Sequence, residues 1–161
     1  MSHELIIRNA TEDDVPLILD FIRELARYER LEQEVVATEE ILRTTLFGSP
    51  RFAEVIVGEA NGEPAGFALF FHNFSTFVGR PGIYLEDLFV RSEYRGRGYG
   101  RALLARLAQI AKERNCGRLE WAVLNWNEPA IGFYRNLGAI PMTQWTVYRL
   151  KGEKLEELAG R

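Results

Sequence analysis

The sequence predicts an α/β sandwich in which a mixed sheet is covered by helices. The 161 residues match the usual size of one domain, and 47% of them are apolar, which is enough to build a core. An early pair of strand-like segments is joined by Asn61-Gly62, a strong hairpin signal. Strand-like and helix-like segments then alternate. This order fits a mixed sheet better than a doubly wound parallel sheet.

The chain begins with a predicted strand and a predicted helix. Residues 4–8 form a short apolar run typical of a strand. Thr11 followed by Asp14 matches a capping box, so a helix should begin there, with Pro16 in its first turn. Apolar residues then recur at helical spacing: Val15, Ile18, Ile22, Leu25 and Ala26.

A second helix and a hairpin follow. Thr38 is a good N-cap, and Gly48 is a good helix end. Residues 52–60 and 64–74 are rich in apolar and β-branched residues and flank the Asn61-Gly62 turn. We therefore expect these two segments to pair as antiparallel strands.

The second half of the chain alternates strands and helices. A strand over 83–90 should place four residues on one face by its period of two: Tyr84, Glu86, Leu88 and Val90. The remaining predicted elements are a helix over 98–115, a strand over 118–124, a helix over 128–136, a strand over 145–150 and a short helix over 154–158.

Composition excludes several classes of protein and site. No apolar run approaches the ~20 residues of a membrane span, and residues 1–4 do not begin a signal peptide. One cysteine, Cys116, cannot form an internal disulfide, and His3 and His72 are far apart. We therefore expect a soluble, cytoplasmic protein with no metal site and no membrane partner.

Charge is unevenly distributed along the chain. The net charge is only −3, but residues 91–118 carry eight basic and two acidic residues, so this segment is +6 and the remainder is −9. This asymmetry indicates two partners of opposite charge or two ends of one reaction. The eight basic residues are Arg91, Arg95, Arg97, Arg101, Arg106, Lys112, Arg114 and Arg118.

The most informative segment is the glycine loop, Arg95-Gly96-Arg97-Gly98-Tyr99-Gly100, between a predicted strand and helix. Glycines let the backbone approach a ligand closely, and amides at a helix N-terminus bind anions such as a pyrophosphate. The spacing differs from a Rossmann fingerprint, and Arg101-Ala102 replaces the end of a Walker loop. A solvated turn remains an alternative. A nucleic-acid surface is disfavoured because few aromatic residues are interleaved.

The glycine loop resembles the Arg/Gln-x-x-Gly-x-Gly/Ala signature of the GNAT superfamily of acetyl-CoA-dependent N-acetyltransferases. Four further segments resemble its spermidine/spermine (diamine) N-acetyltransferase branch: residues 25–29, 85–90, 126–129 and 133–139. The resemblance covers nearly the whole chain. It implies one domain over 1–161, with a mixed, largely antiparallel central sheet flanked by helices on both faces. It also implies a homodimer, for which residues 145–150 and the C-terminal tail are the candidate interface.

The resemblance also assigns chemical roles. Acetyl transfer requires an amine that loses its proton, a stabilised thioester oxygen and a protonated thiolate. Tyr134 matches the family's acid, although a core tyrosine packed beside Phe133 is the alternative. Glu86 matches the residue that accepts the proton, directly or through water. Backbone N–H groups near Leu88 match the oxyanion donors, and Asp87 should point the other way as a structural hydrogen-bonding residue.

Acetyl-CoA and acceptor residues follow in the same way. Asn127 matches a CoA contact, although it is an equally good helix cap. The other predicted CoA-binding residues are Leu88, Phe89, Val90, Arg95, Gly96, Arg97, Gly98, Tyr99, Gly100 and Arg101. The predicted acceptor-binding residues are Tyr28, Glu29, Glu86, Glu120, Trp121 and Ala122. Carboxylates among them suit a cationic amine.

The identity of the acceptor stays open. The segment over residues 140–144 is short and neutral, whereas the polyamine branch has a longer, acidic segment at this place. A lysine-like or thialysine-like amine is therefore an alternative to a polyamine or diamine. Two other functions also remain: acetylation of a peptide or protein amine, and CoA binding without catalysis. Glu86 and Tyr134 together disfavour the second.

Overall fold

A computed structural model describes residues 4–160. The chain forms two compact units, Met1–Ala122 and Val123–Arg161. The single domain predicted over 1–161 is not tested by this division and stays a prediction. Residues 1–3, which include His3 and most of the segment expected not to begin a signal peptide, lie outside the described residues.

The first unit contains a five-stranded sheet in the order β1-β2-β3-β4-β5. Its strands are β1 (Leu5–Asn9), β2 (Glu54–Ala60), β3 (Glu63–Ser75), β4 (Arg80–Val90) and β5 (Leu119–Trp121). β1 to β4 pair antiparallel with one another in that order, and β5 is parallel to β4. The predicted hairpin is present because Asn61 and Gly62 both have positive φ, 54° and 78°, as a type I′ turn requires.

Two helices precede β2, and both begin where local sequence signals predict. α1 (Val15–Tyr28) follows a single 3₁₀ turn, in which the Asp14 carboxylate accepts a hydrogen bond from the Thr11 amide at 2.7 Å. α2 (Glu39–Phe47) is capped by Thr38, whose hydroxyl oxygen accepts from the Ile41 amide at 3.2 Å. These caps satisfy backbone donors that a helix start leaves without partners.

One face of the sheet packs against α1 and α2. Phe21 of α1 stacks on Phe67 of β3 with ring centroids 5.0 Å apart, and it meets Phe89 of β4 edge-on at 6.4 Å. The other members of this cluster include Val15, Ile18, Leu19, Leu25, Leu42, Leu46, Val55, Val57 and Leu69. This core fixes the C-terminal end of α1 relative to β4, where the site lies.

The opposite face packs against α3 (Tyr99–Glu113), which contacts β1 to β4. Alternate strand residues such as Ile56, Ala68 and Phe70 point to this side and are buried. The Arg114 guanidinium, directly after α3, lies 6.0 Å from the Phe70 ring centroid. The predicted fold class is therefore confirmed: a largely antiparallel mixed sheet flanked by helices.

A β-bulge in β4 corrects the predicted strand face. Leu69 pairs with Asp87 and Phe70 pairs with Leu85, so Glu86 is an extra residue in the β4 strand. The period of two is broken there. Tyr84 therefore lies on the face opposite to Leu88, whereas the sequence pattern placed both on one face. Glu86 is exposed rather than buried in an apolar strand, because the bulge takes it out of the ladder.

The second unit contains α4 (Glu128–Asn136) and α5 (Gly152–Ala159), close to the predicted helices. The strand predicted over 145–150 is wrong: these residues form no strand, and Trp145, Val147 and Tyr148 are 70%, 86% and 92% exposed. No described strand pairs with this segment, so its β propensity alone is insufficient. The strand predicted over 118–124 is also shorter, and it is limited to β5.

Within residues 4–160, no helix combines the length and apolarity needed to cross a membrane.

Candidate active site

The glycine loop connects β4 to α3 through two left-handed residues. Gly96 and Gly98 have φ of 78° and 81°, a region that costs other L-residues about 1–2 kcal/mol. A Cβ added at either glycine would meet no atom within 4 Å. Backbone conformation, and not crowding within the protein, therefore requires glycine at both positions. The open space beside them leaves room for a ligand.

The start of α3 presents backbone donors beside this space. The Ala102 amide makes a helical hydrogen bond to the Gly98 carbonyl at 3.0 Å. The amides of Gly100 and Arg101 precede it, where a helix supplies no acceptor. Gly100 does not have positive φ, and an added Cβ would be 4.0 Å from Val90 Cγ2, an ordinary contact. The combination of open backbone and N-terminal helix dipole suits a pyrophosphate.

Much of the basic segment is neutralised within the protein. Four of its arginines pair with carboxylates: Arg91 with Glu24 at 3.1 Å, Arg106 with Glu113 at 3.1 Å, Arg114 with Glu54 at 2.7 Å and Arg118 with Glu120 at 3.2 Å. The guanidinium of Arg97 lies 5.6 Å from the Tyr94 ring. Among residues 4–160, Arg101 has no side-chain partner, so its guanidinium is available to an anion.

The end of β4 lies beside the loop. Leu88 is half-buried opposite Ala68, and Phe89 is buried against Phe21. The Val90 carbonyl accepts a hydrogen bond from Arg95 Nε at 2.9 Å. In the described structure, β5 pairs with β4 only at residues 83–85, so the β5 side of residues 86–90 has no strand partner from β5. Backbone groups on that side are candidates to bind an extended ligand.

Three carboxyl groups form an acidic group at the other end of the site: Glu29 at the end of α1, and Glu86 and Asp87 at the bulge. None has an ion pair or a side-chain hydrogen bond with another described residue. Burial, reinforced by the charges of Glu86 and Glu29, raises the pKa of Asp87 to about 7. Burial and the charge of Glu86 also raise the pKa of Glu29. The group is therefore an uncompensated negative region, and no hydrogen bond supports the structural role expected for Asp87.

The predicted acceptor residues of β5 lie alongside the bulge. Glu120 pairs with Tyr84 and Trp121 pairs with Leu85 in the parallel ladder, and Ala122 follows. Burial, with the charges of Glu86 and Glu120, raises the pKa of Tyr84. The Glu120 carboxylate is already engaged, because it accepts a hydrogen bond from Asn73 at 3.1 Å and pairs with Arg118. Its charge is thus less available to a ligand than that of Glu86.

The second unit carries the other two predicted residues. The Asn127 side chain accepts a hydrogen bond from the Ala130 amide at 3.3 Å, which confirms its role as the cap of α4. Tyr134 lies within α4, half-buried, with its ring centroid 5.5 Å from that of Phe133.

The profile of the acetyltransferase (GNAT) family matches residues 18–139. The chain belongs to this family. It is therefore an N-acetyltransferase, and acetyl-CoA is the acetyl donor that the family uses. The match includes α1 beyond its first turn, the sheet from β2, the glycine loop and α4, so every predicted site residue lies inside it.

Individual relatives of this GNAT acetyltransferase agree with that assignment. The chain is 42% identical to a thialysine N-epsilon-acetyltransferase of Bos taurus, over 98% of each chain. It is 31% identical to the spermidine/spermine N(1)-acetyltransferase-like protein 1 of Homo sapiens, over 95% of this chain and 23% of the human one. Among solved structures, a V. cholerae integron cassette protein superposes with a TM-score of 0.82 at 30% identity, over 99% and 100% of the two chains.

Two features of this acetyltransferase were not predicted from its sequence. The raised pKa of Asp87 depends on a bulge and on a helix end that lie distant in the chain. The Arg95 guanidinium faces the rings of Tyr28 and Phe89, at 5.0 and 5.4 Å from their centroids, although the sequence assigned it to phosphate binding. The adjacent acids Glu86-Asp87 in an apolar strand were the signal that could have indicated the bulge.

Proposed function

We propose that this enzyme transfers the acetyl group of acetyl-CoA to the side-chain amine of a small cationic amino acid of the thialysine or lysine type. The observation that carries this proposal is the uncompensated acidic group Glu29, Glu86 and Asp87. Three carboxyl groups without basic partners attract an ammonium ion and disfavour acceptors of net negative charge. The name of the bovine relative, identical at 42% of positions, supports the same acceptor class.

The acetyl-CoA side of the site fits the residues present. Backbone amides of residues 96–101 and the Arg101 guanidinium would hold the pyrophosphate, because space beside Gly96 and Gly98 is open. Leu88, Phe89 and Val90, with Arg95, Arg97 and Tyr99, complete the proposed CoA-binding set. Asn127 is included on the basis of the family resemblance, in addition to its role as a cap.

The proposed chemistry is a direct attack of the neutral amine on the thioester carbon. A proton leaves the ammonium group to Glu86, directly or through water, so that the nitrogen lone pair can form the new C–N bond. As the C–S bond breaks, the Tyr134 hydroxyl donates its proton to the CoA thiolate, and the second proton that the nitrogen loses as the amide forms restores the Tyr134 hydroxyl. Backbone N–H groups near Leu88 would stabilise the charge on the carbonyl oxygen.

The exposed C-terminal segment supports a proposed homodimer. Trp145, Val147 and Tyr148 are mostly exposed, and an exposed apolar segment of this kind is typical of an interface with another chain. Size-exclusion chromatography with light scattering should give about twice the 18.5 kDa chain mass. A monomer at micromolar concentration contradicts the proposal. A cytoplasmic location is proposed with it.

The deciding experiment is an acetylation screen with one acetyl-CoA concentration and equal acceptor concentrations. Thialysine, lysine and ornithine represent the proposed class; spermidine and a diamine represent polyamines; a lysine-containing peptide represents protein acceptors. We expect thialysine to have the highest kcat/KM, at least tenfold above spermidine. A preference for the peptide or for spermidine contradicts the proposed acceptor. CoA binding without turnover of any amine supports the non-catalytic alternative and contradicts the mechanism.

A further inference from the structure

Arg95 is the first residue of the glycine loop, yet its side chain is directed toward other elements. Its guanidinium carbon lies 5.0 Å from the Tyr28 ring centroid and 5.4 Å from the Phe89 ring centroid. Both distances are within the range of cation–π attraction. Its Nε also donates to the Val90 carbonyl at 2.9 Å. One side chain thus connects the loop to α1 and to β4.

Arg97 and Arg101 do not make this connection. Arg97 contacts the Tyr94 ring, which belongs to the connection between β4 and α3 itself. Arg101 has no side-chain partner in the described part of the chain. Arg95 therefore differs from both in chemistry and in position: it binds aromatic faces and a carbonyl, and its partner Tyr28 precedes Glu29 of the acidic group.

We propose that Arg95 is a positioning residue that couples acetyl-CoA binding at the glycine loop to amine binding at Tyr28 and Glu29. The inference rests on the proposed assignment of Tyr28 and Glu29 to the acceptor. The peptide after Arg95 leads directly into Gly96, where the left-handed backbone faces open space. A pyrophosphate on the loop amides fixes this backbone. The fixed backbone holds the guanidinium on the Tyr28 ring, and the ring in turn fixes the end of α1.

Coupling of this kind is reciprocal, because each ligand must change the affinity of the other by the same factor. The relevant quantity is the ratio of the acceptor Kd without CoA to its Kd with saturating CoA. CoA, which carries no acetyl group, allows the ratio to be measured by titration calorimetry without turnover. Loss of cation–π contacts at an exposed site corresponds to about a 2- to 5-fold change per ring. We therefore expect a wild-type ratio of at least fivefold.

Three variants test the inference with the best acceptor found in the screen. Arg95→Gln should reduce the ratio to about one, and Tyr28→Leu should do the same. Tyr28→Phe keeps the aromatic face and should retain the wild-type ratio. Arg101→Gln is the matched control: it should weaken CoA binding itself while the coupling ratio remains at its wild-type value. Circular dichroism and thermal unfolding of each variant check that the fold is retained.

The acceptor assignment and the coupling inference fail differently. If Tyr28→Leu and Glu29→Gln leave the acceptor KM unchanged, the proposed acceptor assignment is wrong, and the coupling inference falls with it. If these variants raise the acceptor KM but Arg95→Gln retains the wild-type ratio, the acceptor assignment stands and the coupling inference is wrong. A wild-type ratio of one also overturns the coupling inference.

Discussion

Replacing Asp87 with asparagine should change how stability depends on pH. The folded carboxyl has its pKa raised from 3.8 to about 7, first by burial and then by the charges of Glu86 and Glu29. In the unfolded chain it returns to its ordinary value. Between about pH 4 and pH 7 the folded protein therefore holds a proton that the unfolded protein has lost. The free energy of unfolding must fall as the pH rises through this window.

The size of the effect follows from the shift. One pKa unit corresponds to about 1.4 kcal/mol, so a shift from 3.8 to about 7 gives an upper value of about 4 kcal/mol. The amide that replaces the carboxyl in Asp87→Asn carries no charge at any of these pH values. The variant should therefore match the wild type near pH 4 and exceed its stability by a few kcal/mol at pH 8.

Urea unfolding followed by circular dichroism at pH 5, 6, 7 and 8 measures this difference. Asp20→Asn is the matched control, because Asp20 is exposed on α1 and has no side-chain partner in the described structure. The free energy of unfolding of Asp20→Asn should differ from that of the wild type by a nearly constant amount over the pH series. A constant difference for Asp87→Asn as well would refute the reasoning, since it would show that the carboxyl ionises alike in the folded and unfolded chains.

Three further predictions concern the proposed chemistry and the loop. Tyr134→Phe removes the proton donor and should lower kcat by about 10²-fold or more with the acetyl-CoA Kd nearly unchanged. Steady-state kinetics measure kcat and calorimetry measures the Kd, and an unchanged kcat would contradict the role of Tyr134 as the acid. Glu86→Gln should lower kcat/KM for the amine most strongly near neutral pH, where the amine is protonated; a pH–rate profile parallel to that of the wild type would contradict this. Gly98→Ala should reduce the free energy of unfolding by about 1–2 kcal/mol because Gly98 has a positive φ, whereas Gly100→Ala should keep the melting temperature and raise the acetyl-CoA KM. A melting temperature lowered equally by both substitutions would contradict the different roles assigned to the two glycines.

Local signals in the sequence predicted much of the fold. Thr11, Thr38 and Asn127 mark helix starts because a side-chain oxygen near its own backbone acts over a few residues. The Asn61-Gly62 turn is equally local, since two residues of positive φ determine the hairpin. Such signals do not depend on the rest of the chain, and all of these elements are present.

Features that depend on distant partners could not be predicted in the same way. The bulge at Glu86 arises in the pairing of β3 with β4, and the adjacent acids Glu86-Asp87 show only that the period of two is interrupted, not which residue is the extra one. Residues 145–150 have the composition of a strand, but composition cannot show which neighbour would pair with them. The site was found because its glycine loop is compact in sequence, whereas the coupling of Asp87 to Glu29 requires a folded chain.

The two charged regions have different physical origins. Four arginines of the positive segment are neutralised by carboxylates, so the field at the glycine loop comes from backbone amides, the α3 dipole and the loop arginines Arg95, Arg97 and Arg101, which pair with no described carboxylate. The acidic group at Glu29, Glu86 and Asp87 has no such partners among the described residues. The net charge of −3 therefore conceals two unlike regions, a basic segment that is largely compensated and an acidic group that is not. Selection for a cation thus depends on side-chain charge, and selection for a phosphate depends on the loop arginines together with the backbone geometry that glycine permits.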